Sequence, residues 1–195
     1  MSLNHRARDN KDLLDAAVAS DPQRRMSGVQ TRAQRHEPLD PAALGAAAPP
    51  SISIGAPADE SLLEPTYAYL SAYCTRVFAP RVAERLNVAI YELYANALRY
   101  GRGDEVRFQL GRLEGGAWLR VESSAEPSDV ARLREQLARV REDAEAAFNR
   151  EMSRFGSDGQ PAPMLGIVRI AHESRLSLEL ELDGARVAIS TRCAD

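Results

Sequence analysis

Glu92 and Asn96 stand four residues apart in the segment Glu92-Leu93-Tyr94-Ala95-Asn96-Ala97. On a helix that spacing places a carboxylate and a carboxamide on one face, roughly 6 Å apart. The carboxylate can order or deprotonate an attacking hydroxyl. A neutral oxygen one turn away can hold Mg2+ together with phosphate oxygens and water. The same two residues also fit a solvated glutamate beside an asparagine that caps nothing, and spacing alone leaves both readings open.

The rest of the composition narrows the chemistry by what is scarce. Of 25 basic side chains in 195 residues, Lys11 is the single lysine. Phosphate loops of the Walker type, Schiff bases and catalytic lysines are thereby excluded, because each needs a primary amine on a folded element. Cys74 and Cys193, with His5, His36 and His172, give neither a zinc spacing nor a disulfide framework. A Ser/His/Asp or Cys/His mechanism would rest on His172 alone, which reads instead as a helix C-terminal residue interacting with the dipole. A net charge of −3 gives no basic footprint for nucleic acid. No apolar run approaches the roughly 20 residues that span a bilayer, and residues 1–20 lack an uninterrupted apolar stretch of signal type. The expectation is a cytoplasmic protein that binds neither nucleic acid nor membrane.

All eleven aromatic residues lie beyond residue 50. Without them, residues 1–50 cannot bury enough apolar area to offset chain entropy, and they read as a disordered extension with a short helical stretch at Asn10–Ala19. The folded domain is expected at 51–195. Ser51 to Ile54 alternates as a short strand stopped by Gly55. A helix follows, starting at a Ser61/Glu64 capping box or with Pro65 in its first turn, and ending at Pro80. The helix that carries Glu92 and Asn96 runs from about Arg81 to Tyr100, with Val82, Leu86, Ala89, Ile90, Leu93 and Ala97 on its apolar face and Gly101 as its stop. A hairpin turns at Glu114-Gly115-Gly116. One long amphipathic helix is predicted over Ser128–Arg154. Its stripe of Val130, Leu133, Leu137, Val140, Ala144, Ala147 and Phe148 fits either a core-facing helix or self-association as a homodimer. A flexible loop at 156–163, a short helix at Leu165–Glu173 and a hairpin turning at Asp183-Gly184 close the chain. Grouped hairpins predict an α+β class: a two-layer α/β sandwich with one mixed sheet and helices on one face.

Glu92-Leu-x-x-Asn96-Ala, followed by Tyr100-Gly101 and a hairpin, resembles the N box of the gyrase, chaperone, histidine kinase and mismatch-repair (GHKL, or Bergerat) ATPases, and more narrowly the anti-sigma-factor serine kinases. Met164-Leu165-Gly166-Ile167-Val168-Arg169 is similar to the glycine-box segment that opens the short helix after the lid. There, backbone N–H groups and the helix dipole receive phosphate. The inserted helical segment and the run through Glu173-Ser174 most resemble SiaB-type serine kinases of bacterial signalling. The resemblance covers about residues 51–192.

It implies an ATP-dependent serine/threonine protein kinase that uses Mg2+ and phosphorylates a small regulatory partner of the anti-sigma-antagonist kind. Glu92 would be the base, Asn96 the Mg2+ ligand, and Leu165 and Gly166 the residues that approach the nucleotide phosphates. The family's adenine-binding aspartate and its neighbouring glycines are missing from Val121-Glu122-Ser123-Ser124-Ala125-Glu126. Ser123 or Ser124 could accept the adenine hydrogen bond, and so could Glu122 if it faces inward. This departure keeps a second reading in view, a catalytically inactive module of the same fold that binds a regulatory partner without nucleotide turnover. Arg169 and Arg154 could meet phosphate or sit on solvated faces. Trp118 reads as packing, Cys74 as a small buried hydrophobe, and Tyr67, Tyr69 and Tyr73 as a mixture of core and partner surface.

Overall fold

The computed structural model describes residues 51–158 and 165–195, all within one unit, Glu37–Asp195. The disordered extension expected at 1–50 and most of the loop expected at 156–163 lie outside the described residues. Strand β1 (Ile52–Pro57) leads through a 3-10 turn at Glu60–Leu62 to helices α1 (Leu63–Val77) and α2 (Pro80–Tyr100). The hairpin β2 (Glu105–Leu113) and β3 (Gly116–Ser124) comes next, then α3 (Pro127–Glu142), α4 (Ala144–Asp158), α5 (Leu165–Glu173) and the hairpin β4 (Leu178–Asp183) and β5 (Arg186–Ala194). The order matches the sequence reading except for one additional helix between β3 and β4, and the architecture is the expected α+β sandwich.

The sheet has the order β1-β2-β3-β5-β4, and every neighbouring pair is antiparallel. This corrects the expected mixed sheet. The helical crossover after β3 carries the chain past the vacant neighbouring position to β4, and β5 then turns back between the two. β3 and β4, which run in the same direction, therefore never touch. Register aligns Ile54, Phe108, Val121, Ile189 and Leu180 in one row across all five strands. Phe108 is fully buried in this row, and the same core takes in Val82, Leu86, Ile90 and Leu93 of α2. Alternation sends Arg107, Glu122 and Glu181 to the opposite face, where Arg120 bonds Glu122 and Glu181 at 2.7 Å each. Glu122 therefore faces away from the helices, which removes it as a candidate for an inward hydrogen bond.

Several local signals acted differently from their expectation. Gly55 continues β1 instead of stopping it, paired in register with Arg107 of β2. Pro57 is tolerated at the end of this edge strand. Pro65 falls in the first turn of α1, which has no side-chain cap, while Asp59 caps the preceding 3-10 turn by accepting a hydrogen bond from the Ser61 backbone at 2.8 Å. Gly101 does stop α2, yet its φ of −67° is ordinary. Glycine is needed because a Cβ would lie 2.1 Å from the Ala97 carbonyl oxygen.

The single helix predicted over 128–154 is two helices. Asp143 leaves helical geometry (φ −156°, ψ 100°), and its Oδ1 accepts the Ala146 N–H at 2.8 Å, capping α4. Leu133, Leu137, Val140 and Ala147 of the stripe are buried in this chain's own core, with Phe148 packed against it. Phe148 also stacks on His172 with ring centroids 4.2 Å apart, which fixes α4 against α5. Asp143→Ala should cost about 1 kcal/mol, read as a lowered urea midpoint without a change in slope.

Candidate functional site

The amphipathic pattern of α2 turns its broad apolar face to the sheet. Tyr94 extends that face beyond the residues expected, donating its hydroxyl to the Pro57 carbonyl at 3.1 Å and meeting Phe108 edge to face. Glu92 and Asn96 are left on the flank that meets α5. The two helices approach there because residue 166 is glycine. A Cβ on it would lie 2.5 Å from Glu92 Oε2 and 3.0 Å from Asn96 Nδ2. Three of the residues picked from the sequence, Glu92, Asn96 and Gly166, are thus brought into one cluster. Leu165 opens α5 immediately before Gly166.

The far end of α5 is tied to α2 as well. Arg85 donates to the carbonyls of Ser174 (2.6 Å) and Arg175 (3.0 Å), and to Ala194 at the end of β5 (3.0 Å). Arg175 takes φ 53°, the left-handed geometry that turns the chain from α5 toward β4. One guanidinium thereby satisfies three carbonyls and fixes the angle at which the first turn of α5 meets Glu92.

Arg169 lies three residues after Gly166. Its Nη1 donates to Glu92 Oε1 at 2.5 Å, while Nε and Nη2 donate to the two oxygens of Glu173 at 3.1 Å each. The solvated-face reading of Arg169 is thereby corrected. The Glu92 side chain retains only 12% exposure, against 40% for Arg169 and 38% for Glu173. Burial pushes the Glu92 carboxyl above its ordinary value, Arg169 opposes the shift and Glu173 adds to it. Tyr91, edge to face with Tyr67 at 5.3 Å, is likewise pushed up, chiefly by burial.

Beside this cluster a pocket opens between sheet and helices, lined by Asn96, Ala97, Ser123, Asp129, Ile167 and Ile189 among others. Ser123 therefore shares a cavity with Asn96. Asp129, in the first turn of α3, is a wall residue that the sequence reading missed because it lies just beyond the 121–126 segment. Its side chain is only 13% exposed. The Asn96 Nδ2 atom is buried with no hydrogen-bond partner, and such an orphan in a native core calls for an explanation such as a ligand. Among the described residues no three His, Cys, Asp or Glu side chains gather into a metal site. A cation there would take Asn96 together with oxygens from its own ligand and water, a donor set suited to Mg2+. The missed partners differ in how they could have been found. Arg169 and Glu173 carry an i,i+4 spacing visible in the sequence, whereas Arg85 gave no local signal.

Among the described residues no helix is long and apolar enough to cross a membrane. No family model matches the chain, and no curated protein matches it. Among solved structures the likeness is one of fold, an α+β sandwich. A chain in the crystal structure of the SiaB–SiaC complex from Pseudomonas aeruginosa aligns over 82% of this chain and 100% of its own length, at 20% identity and a TM-score of 0.53. The histidine kinase AdeS of Acinetobacter baumannii aligns over 69% and 72%, at 11% identity and a TM-score of 0.36.

Two outcomes follow from this geometry. A carboxyl whose folded value is raised above 4.5 binds its proton more tightly in the folded than in the unfolded chain, so its contribution falls as pH rises through that window. Glu92→Gln should therefore gain stability relative to the parent as pH goes from about 4 to about 7 in urea titrations. Gly166→Ala should push α5 off α2 and cost about 1–3 kcal/mol in the same assay.

Proposed function

We propose that the chain is an ATP-binding serine/threonine protein kinase of the anti-sigma-factor or SiaB kind, acting in the cytoplasm on a small regulatory protein. The observation that carries this reading is the juxtaposition of Glu92, Asn96 and Gly166 beside a mainly apolar pocket. The two-protein SiaB–SiaC assembly in which a chain of the same fold occurs supports a protein substrate.

When bound, Mg-ATP supplies the phosphoryl group and the cation charge that offsets negative charge developing during transfer. Asn96 would hold the Mg2+ through its carboxamide oxygen. The backbone N–H groups of Leu165 and Gly166 sit at the start of α5, where they have no partner inside the helix, and would receive phosphate oxygens. Ser123 and Asp129 would accept hydrogen bonds from the base edge, Asp129 standing in for the aspartate absent from 121–126. Apolar residues such as Ile167 and Ile189 would exclude water from its faces. Glu92 would orient the substrate hydroxyl and take its proton, a role suited by a carboxyl that burial raises above its ordinary value.

One observation favours the second reading, a partner-binding module without turnover: one oxygen of the Glu92 carboxylate is already held by Arg169. Urea unfolding with and without Mg-ATP separates the two. For the kinase, Mg-ATP at 100 times its dissociation constant should add about 2.7 kcal/mol. Asn96→Ala should abolish that gain. Glu92→Gln should retain it while slowing phosphoryl transfer to the partner roughly 10²–10⁴-fold. No stabilisation by millimolar Mg-ATP would establish the inactive module instead.

A further inference from the structure

The contact between Arg169 and Glu92 has a particular construction. Glu173, on the same helix one turn later, holds the Nε and Nη2 edge of the guanidinium and sets its plane. Nη1 alone reaches across to α2. Its acceptor, Glu92, is the more buried partner, and Arg169 is the more exposed one. Gly166 and Arg169 lie three residues apart on one face of α5, so the start of the helix and the guanidinium meet the same Glu92 carboxylate. Beyond Lys11 the chain has no lysine to bring there.

We propose that Arg169 is a two-position latch. Without nucleotide its Nη1 edge closes on Glu92, and with Mg-ATP that edge moves to the terminal phosphate and releases the Glu92 carboxylate to the substrate hydroxyl. This inference rests on the ATP-binding reading above. A terminal phosphate carries more charge than a carboxylate and offers three acceptor oxygens, so it outcompetes Glu92 for a guanidinium whose other edge stays anchored. The exchange couples base availability to the presence of the group to be transferred. Mg-ADP, lacking that group, leaves the latch shut.

The test is calorimetric binding of Mg-ATP and Mg-ADP to the full chain, with circular dichroism verifying the fold of each variant. The parent should favour Mg-ATP over Mg-ADP by about tenfold or more. Arg169→Gln should erase that preference while leaving Mg-ADP affinity within about twofold, which a merely structural arginine would not do. Glu92→Gln removes the competing acceptor and should raise the preference, and this gain should vanish in the double variant. If Arg169→Gln does not fold, Glu92→Gln decides alone, and an unchanged preference overturns the latch. A parent that binds both nucleotides equally, or an Arg169→Gln variant that keeps the preference, overturns the latch and leaves the kinase reading standing. A parent that binds neither overturns both.

Discussion

A buried carboxylate packed against a helix backbone governs this structure. Gly166 lets α5 approach α2 to a distance that no side chain would permit, and that approach removes Glu92 from water. A charge so placed is costly unless it is paired, and Arg169 on the approaching helix provides the partner. The position of α5 is therefore set by its glycine and its arginine at one end, and by the grip of Arg85 on the Ser174 and Arg175 carbonyls at the other. The α4 helix then docks on α5 through the Phe148–His172 stack, with Asp143 providing the bend that lets it do so. The upper layer is thus organised around a polar contact, and the apolar rows of the sheet provide the bed on which it rests.

Much of this was legible in the sequence because periodicity is local. Both ends of α2 and the two hairpin turns follow from patterns within a few residues, and so does the α+β class. The interruption at Asp143 was not legible, because Val140, Ala144 and Ala147 keep the helical spacing across it. One side-chain cap outweighs that continuity. Strand direction was hidden for another reason: whether β4 lies beside β3 depends on where β5 inserts, a decision taken far along the chain.

The candidate site shows the same division. Glu92 and Asn96 were found by their spacing, and Gly166 by its place before a short helix. What the sequence concealed was the geometry between those segments. Arg169 is separated from Glu92 by 77 residues, and only folding makes them a pair. Asp129 escaped notice because helix α3 brings its first turn back over a pocket whose floor belongs to the sheet. An aligned structure at 20% identity shares the fold. Alternating apolar rows and well-placed turns tolerate wide substitution, whereas chemistry depends on a few particular side chains.

The strand order also has a consequence for company. The described sheet ends at β1 on one side and at β4 on the other. β1 is six residues long and finishes in a proline, which lacks the donor that a further strand would need. β4 carries Glu181 and Asp183, ion-paired with Arg120 and Arg186, and such charged side chains on an edge strand disfavour further pairing. Both margins thus discourage extension by another polypeptide in β conformation. The fold thereby resists sheet-to-sheet aggregation at both ends of the described sheet.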